Sequence, residues 1–155
     1  MKTKLSYMIL AVILVALVLT GMLWSGDGKG EKEKIISVVQ RFFDVLTSKD
    51  ADEANKIVLP EGFSLSVREK NSEKVIRFRS FAGFAEQLGR TKQKYKEVMS
   101  NPKVLIHNEI ASLWAAYKFY LDGKFSHDGV DAFSLVKTNE GWKIASIIYT
   151  VEKPK

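Results

Sequence analysis

The chain has 155 residues, a formal charge of +6, two histidines and no cysteine. Without cysteine there is no disulfide, no thiolate metal site and no cysteine nucleophile, so the fold must rest on an ordinary core. The charge falls to +4 once Lys2, Lys4, Lys29 and Asp27 are set aside; that favours solubility and loose attraction to anionic surfaces and singles out no partner.

Leu5 to Trp24 is an uncharged run of twenty residues. A hydrocarbon layer about 30 Å thick takes about 20 helical residues at ~1.5 Å each, so the run is long enough to span. Lys2, Lys4 and the amino terminus precede it, which predicts a cytoplasmic N-terminus and an outward-facing remainder. Residues 1–30 therefore read as a signal anchor followed by a tether at Gly26, Gly28 and Gly30. Residues 31–155 read as one domain on the extracytoplasmic side. The alternative is a cleaved signal peptide and a secreted or periplasmic protein. It fits less well, because such cores are normally about 7 to 15 residues and Thr20 to Trp24 offers no A-x-A site.

In the remainder, Ile35, Val38, Val39, Phe42 and Leu46 recur at helical spacing and predict an amphipathic helix over Glu31 to Ser48. Asp50 with Glu53 resembles a capping box, so a short helix should run from Ala51 to Val58 and stop at Pro60-Glu61-Gly62. Phe63, Leu65 and Val67 alternate with polar residues, and after a turn at Lys70 to Ser72 an extended run occupies Lys74 to Arg79, which together predict a hairpin. Ser80 is placed to cap a helix carrying Phe81, Phe84, Ala85 and Leu88, with Gly89 to end it. Arg90 to Lys96 is basic and holds a single aromatic, so it reads as a solvated edge or surface helix and not as a nucleic-acid strip.

From Lys103 the pattern is strand after strand: Lys103 to His107, Ile110 to Leu121, Lys124 to Val136 and Trp142 to Val151. Asp122-Gly123 is a strong hairpin signal, since a type I′ turn needs positive φ at both central residues. Thr138 to Gly141 closes the next hairpin. Reading Asp128-Gly129 as a third turn would leave too short a strand, so Gly129 is expected to mark a bulge.

The element order, together with Tyr120-Leu121-Asp122-Gly123-Lys124-Phe125-Ser126-His127 and Gly129-Val130-Asp131-Ala132-Phe133, resembles the nuclear transport factor 2-like (NTF2-like) superfamily. Within it the match is to the branch often labelled "putative lumazine-binding", near the SnoaL-like and ketosteroid isomerase-like groups. The resemblance implies an α+β, cone-shaped fold, a bent antiparallel sheet packed on N-terminal helices around a cavity. Where many relatives carry a cysteine between His127 and Gly129, this chain has Asp128.

That fold sets the candidate site. His127 and Asp131 stand four apart and are expected within reach of each other at the cavity wall. There they would either bind a ligand or, on the SnoaL-like and ketosteroid isomerase-like alternative, carry acid/base chemistry on a carbonyl compound. The structural counter-reading is that Asp131 only holds the bend through hydrogen bonds. Trp114, Tyr117 and Tyr120 are further candidates for ligand contact, because aromatic rings offer large apolar area with a polar tip. Which face of Leu113 to Leu121 points inward is left open by the pattern. No H-x-x-x-H, E-x-x-H, phosphate-loop or G-x-S-x-G motif occurs, so neither metal, cofactor nor nucleotide is expected. The expected partners are a small molecule, the membrane through residues 5–24, and a second copy meeting through the sheet.

Overall fold

The computed structural model describes residues 27–152. A helix, α1 (Asp27–Ser48), opens them, followed by α2 (Ala51–Ile57), β1 (Val58–Lys70), β2 (Glu73–Ser80), α3 (Phe84–Arg90), β3 (Tyr95–His107), β4 (Ile110–Leu121), β5 (Lys124–Thr138) and β6 (Gly141–Val151). Because α1 begins at Asp27, Gly28 and Gly30 are helical, while Gly26, the first residue of the expected tether, lies outside the described residues. No helix among the described residues is long and apolar enough to cross a membrane; the run from Leu5 to Trp24 lies outside them.

The apolar stripe of α1 is buried as its spacing requires: Ile35, Val39, Phe43 and Val45 lie fully inside. Phe42 and Phe43 each meet the ring of Phe133 on β5 edge-on, at 6.0 and 5.9 Å between centroids, which joins helix to sheet. Asp50 caps α2, its Oδ1 accepting from the Glu53 amide at 3.0 Å. The Glu53 side chain does not complete a capping box, since it pairs with Arg41 instead. Ser80 caps no helix: it accepts from the Ala82 amide in a turn, while left-handed Gly83 precedes α3, which runs through Gly89 to Arg90.

The six strands form one bent, unclosed sheet in the order β2-β1-β6-β5-β4-β3. All neighbours are antiparallel except β1 and β6, which run parallel. The expected all-antiparallel sheet is therefore mixed, because the chain leaves the sheet through α3 after the first hairpin. The long meander β3–β6 then returns beside β1 in the same direction. Asp122 and Gly123 both have positive φ, 50° and 79°, as a two-residue hairpin turn demands.

β3 takes in only the last two residues of the basic stretch, Tyr95 and Lys96. Its inward alternation of Tyr95, Glu97 and Met99 is interrupted at Asn101-Pro102, where two residues oppose one on β4. Proline is tolerated there because β3 is a sheet edge. β5 carries a bulge too, but at Ser126, which falls between His127 opposite Phe119 and Phe125 opposite Tyr120. Gly129 stays in register opposite Tyr117, and it serves a different need. A Cβ there would stand 2.3 Å from the Thr150 carbonyl oxygen, so the absence of a side chain lets the end of β6 lie against β5.

Along β4 burial alternates cleanly. Leu113, Ala115 and Tyr117 face the interior, while Trp114 is 57% exposed on the outer face. That resolves the orientation the sequence pattern left open.

Candidate ligand-binding cavity

The concave side of the sheet, α1 and α3 line a half-open cavity of about 830 Å³. Its walls are aromatic and aliphatic: Phe42, Phe43 and Leu46 from α1, Phe84 and Leu88 from α3, and Tyr95, Tyr117, Phe119, Phe133 and Tyr149 from the sheet. Two polar zones interrupt them. One holds Glu97, Asp131, Tyr117 and His127; the other is the arginine group Arg68, Arg77 and Arg79 on the first hairpin.

The acidic zone is built by strand alternation. Asp131 on β5 stands opposite Ala115, and Glu97 on β3 stands opposite Phe119. Each lies on the inner face, where the pattern would otherwise call for an apolar residue. Asp131 is 2% exposed. Burial pushes its carboxyl up to about 7, against which the hydrogen bond with Glu97 acts in the opposite direction. Glu97 is held well above the usual carboxylate range by burial and then by the negative charge of Asp131. Two carboxylates in contact cannot both ionise cheaply away from water, so the pair retains a proton that one carboxyl donates to the other. The buried Oδ2 of Asp131 meets no hydrogen-bond partner among the described residues.

Tyr117 crosses this zone. Its hydroxyl donates to the Thr150 carbonyl at 2.6 Å, and burial together with Asp131 and Glu97 keeps the phenol protonated far above its ordinary range. His127 lies flat against Phe119, with ring centroids 4.8 Å apart, and edge-on to Tyr117 at 5.8 Å; Ser126 Oγ stands 3.0 Å from its Nδ1. Burial lowers the imidazole pKa despite the opposing pull of Asp128, so His127 favours its neutral form. Tyr149 lies across from Tyr117, ring to ring at 6.4 Å, its hydroxyl bonded to Ser66 and within the field of Arg79.

A family model described as "Putative lumazine-binding" matches residues 30–150. The chain belongs to this family. Among curated proteins none matches in sequence. Of the solved structures, an NTF2-like superfamily protein from Salmonella enterica superposes with a TM-score of 0.64 at 16% identity, covering 83% of this chain and 95% of that one. An NTF2-like protein with a cystatin-like fold from Novosphingobium aromaticivorans gives 0.66 at 12% identity, over 86% and 89%. The beta subunit of a putative aromatic-ring-hydroxylating dioxygenase from the same organism gives 0.67 at 8% identity, over 83% and 93%. At such identities the likeness shows the fold.

In the NTF2-like domain, Tyr117, His127 and Asp131 all line the cavity, whereas Trp114 and Tyr120 do not. Trp114 points to the outer face, and Tyr120 is half-buried with its ring edge-on to Phe125, 5.9 Å away. His127 and Asp131 share the wall, but the hydrogen-bond partner of Asp131 is Glu97 and that of His127 is Ser126. Sequence reasoning missed Glu97 and the three arginines. An acid between Tyr95 and Met99 at period two was the available signal for the first. Arg68, Arg77 and Arg79, all outside the apolar set of their hairpin, were the signal for the second. Among the described residues no three His, Asp or Glu side chains are grouped to hold a metal.

Proposed function

We propose that this NTF2-like domain binds a small, flat organic molecule in its cavity. The observation that carries the reading is a half-open cavity of about 830 Å³, lined by aromatic rings with a few convergent polar groups. Ligand sites are typically concave, about 300 to 1,000 Å³, and mostly apolar with sparse, directed hydrogen-bonding groups. The family description points the same way. Native mass spectrometry of the protein purified from its own host tests it. A retained small molecule displaced on denaturation supports the reading; a bare chain, unresponsive in melting temperature to a panel of planar heterocycles, counts against it.

A proton-transfer role is the second reading, favoured by Asp131, whose carboxyl is pushed up to about 7. A carboxyl titrating near neutrality is suited to take a proton α to a carbonyl and return it. Deuterium wash-in from heavy water into an enolisable β-diketone, lost in Asp131→Asn, is the readout.

The proposal also places the domain outside the cytoplasm on an uncleaved anchor at residues 5–24, supported by the length of the uncharged run and by Lys2 and Lys4 before it. Membrane fractionation with N-terminal sequencing decides: a soluble form beginning near residue 25 would mean a cleaved signal. Self-association through the outer sheet face completes the reading.

A further inference from the structure

Arg68, Arg77 and Arg79 reach the cavity from a single hairpin. Arg77 pairs with Ser66 and Arg79 with Ser64 on the face that lines the cavity, where both arginines remain exposed; Arg68, two residues beyond Ser66 and half-buried, shares that face diagonally to Arg77. Diagonal neighbours on adjacent strands lie roughly 7 to 8 Å apart, close enough for like charges to repel. None of the three has a carboxylate partner among the described residues, and the hairpin's own Glu69 is bound to Lys74 at 3.0 Å. The cavity's two acids, Glu97 and Asp131, are engaged with each other. Arg68 Nε is buried and meets no acceptor. A guanidinium nitrogen can only donate, so burying it without an acceptor is costly, and a bound anion is what would remove the cost.

We propose that Arg68, Arg77 and Arg79 form a subsite for an oxyanion, a carboxylate or phosphate carried by the small molecule that occupies the cavity. The inference rests on the proposed cavity binding and adds the class of ligand: a flat aromatic body with an anionic substituent. Planar guanidinium groups take two oxygens of such a group at once, and charge-assisted bonds of this kind are roughly twice as strong as neutral ones. The anion lies at the β1–β2 end, the rings of Tyr149 and Phe119 flank the body, and the opposite edge meets Glu97 and Asp131. A free small molecule fits better than a lipid headgroup because Arg68 donates from inside the cavity and the aromatic walls continue inward from it.

The test uses the full chain in a non-ionic detergent with two isosteric probes, 2-naphthoate and 2-naphthamide, followed by calorimetry, and inorganic phosphate followed on the arginine Nε–Hε resonances. The expected result is that naphthoate binds roughly tenfold or more tightly than naphthamide. That preference should collapse in Arg68→Gln and in Arg77→Gln/Arg79→Gln, while naphthamide affinity holds in both variants and reports an intact cavity. Equal affinity for the two probes overturns the subsite and leaves cavity binding standing. Phosphate moving the three arginine resonances without either naphthalene binding keeps the subsite and overturns the flat-ligand reading. Silence in both experiments overturns the subsite. Arginine-dependent capture of phosphatidylglycerol vesicles, without preference for naphthoate, overturns it in favour of a lipid headgroup.

Discussion

Glu97 and Asp131 come from strands that are not neighbours, with β4 between them, yet their carboxyls meet over the inner face of the bent sheet. Such a contact exists only while a proton is held between them. Its removal would leave two negative charges in a desolvated site with Tyr117 and Tyr149, neither of which carries a positive charge. The state of this pair therefore links the chemistry of the cavity to the stability of the fold.

The link has a definite sign. An acid whose pKa is raised on folding binds more protons in the folded than in the unfolded chain between the two values, so stability falls as pH rises through that interval. For Asp131 the interval runs from about 4 to about 7, and the slope there should approach ~1.4 kcal/mol per pH unit. His127, whose pKa is lowered, opposes this below about 6.5, and Glu97 extends the decline upward. Urea denaturation across pH 4 to 9 should show the fold losing stability toward alkaline pH. A flat or rising profile would count against the shared proton.

Gly129→Ala should destabilise by about 1 to 3 kcal/mol, the usual cost of forcing atoms into a packed site. The new methyl would meet the Thr150 carbonyl at 2.3 Å and its hydroxyl at 2.8 Å, and it would strain the bond from Tyr117 to that same carbonyl. Chemical denaturation measures the loss. Unchanged stability would show that β6 can shift away at no cost.

Different parts of this fold were legible to different degrees. α1, the two-residue turns and the strands β4 to β6 follow from periodicity and turn chemistry, both local properties. His127 and Asp131 could be grouped because period-two spacing puts them on one face; Tyr117 joins them only through the bulge at Ser126, since an unbroken register from Asp122-Gly123 would set His127 opposite Lys118. Glu97 was hidden because Asn101 and Pro102 break its strand and Lys94 and Lys96 flank it, so the stretch looks like solvated surface. The parallel pairing of β1 with β6 joins segments about eighty residues apart, and no local pattern encodes it. The bulge was misplaced for a related reason. Gly129 looks locally like a kink, but its lack of a side chain answers to Thr150, a residue of another strand.

The outer face carries a row of apolar side chains across five strands, Phe78, Leu65, Ile148, Ala132 and Trp114, each opposite the next. Phe78, Ile148 and Trp114 are 65%, 45% and 57% exposed, and a contiguous apolar patch of this kind marks an interaction surface. Light scattering of the protein should give a dimer, and Trp114→Glu should shift it toward monomer with little change in melting temperature. A wild-type chain that stays monomeric at high micromolar concentration would rule this surface out as a contact between copies.

Asp131→Asn separates a binding role from a structural one. The amide keeps the shape of the carboxyl but can donate permanently to Glu97, so no shared proton is needed and Glu97 can ionise beside a neutral neighbour. At pH 8 the variant should be more stable than wild type by about 1 to 3 kcal/mol, because the cost of holding or losing the proton is gone. At pH 4, where the wild-type pair is protonated, the difference should vanish or reverse. If the pair also meets a ligand edge, affinity for a cavity probe should fall at both pH values, independently of the change in stability. Denaturant titrations at the two pH values, run beside calorimetric binding, give all four numbers. A variant that is destabilised equally at pH 4 and pH 8, with affinity following stability, would mean that Asp131 serves only to hold the bend of β5 and that the cavity reads its ligand through other groups.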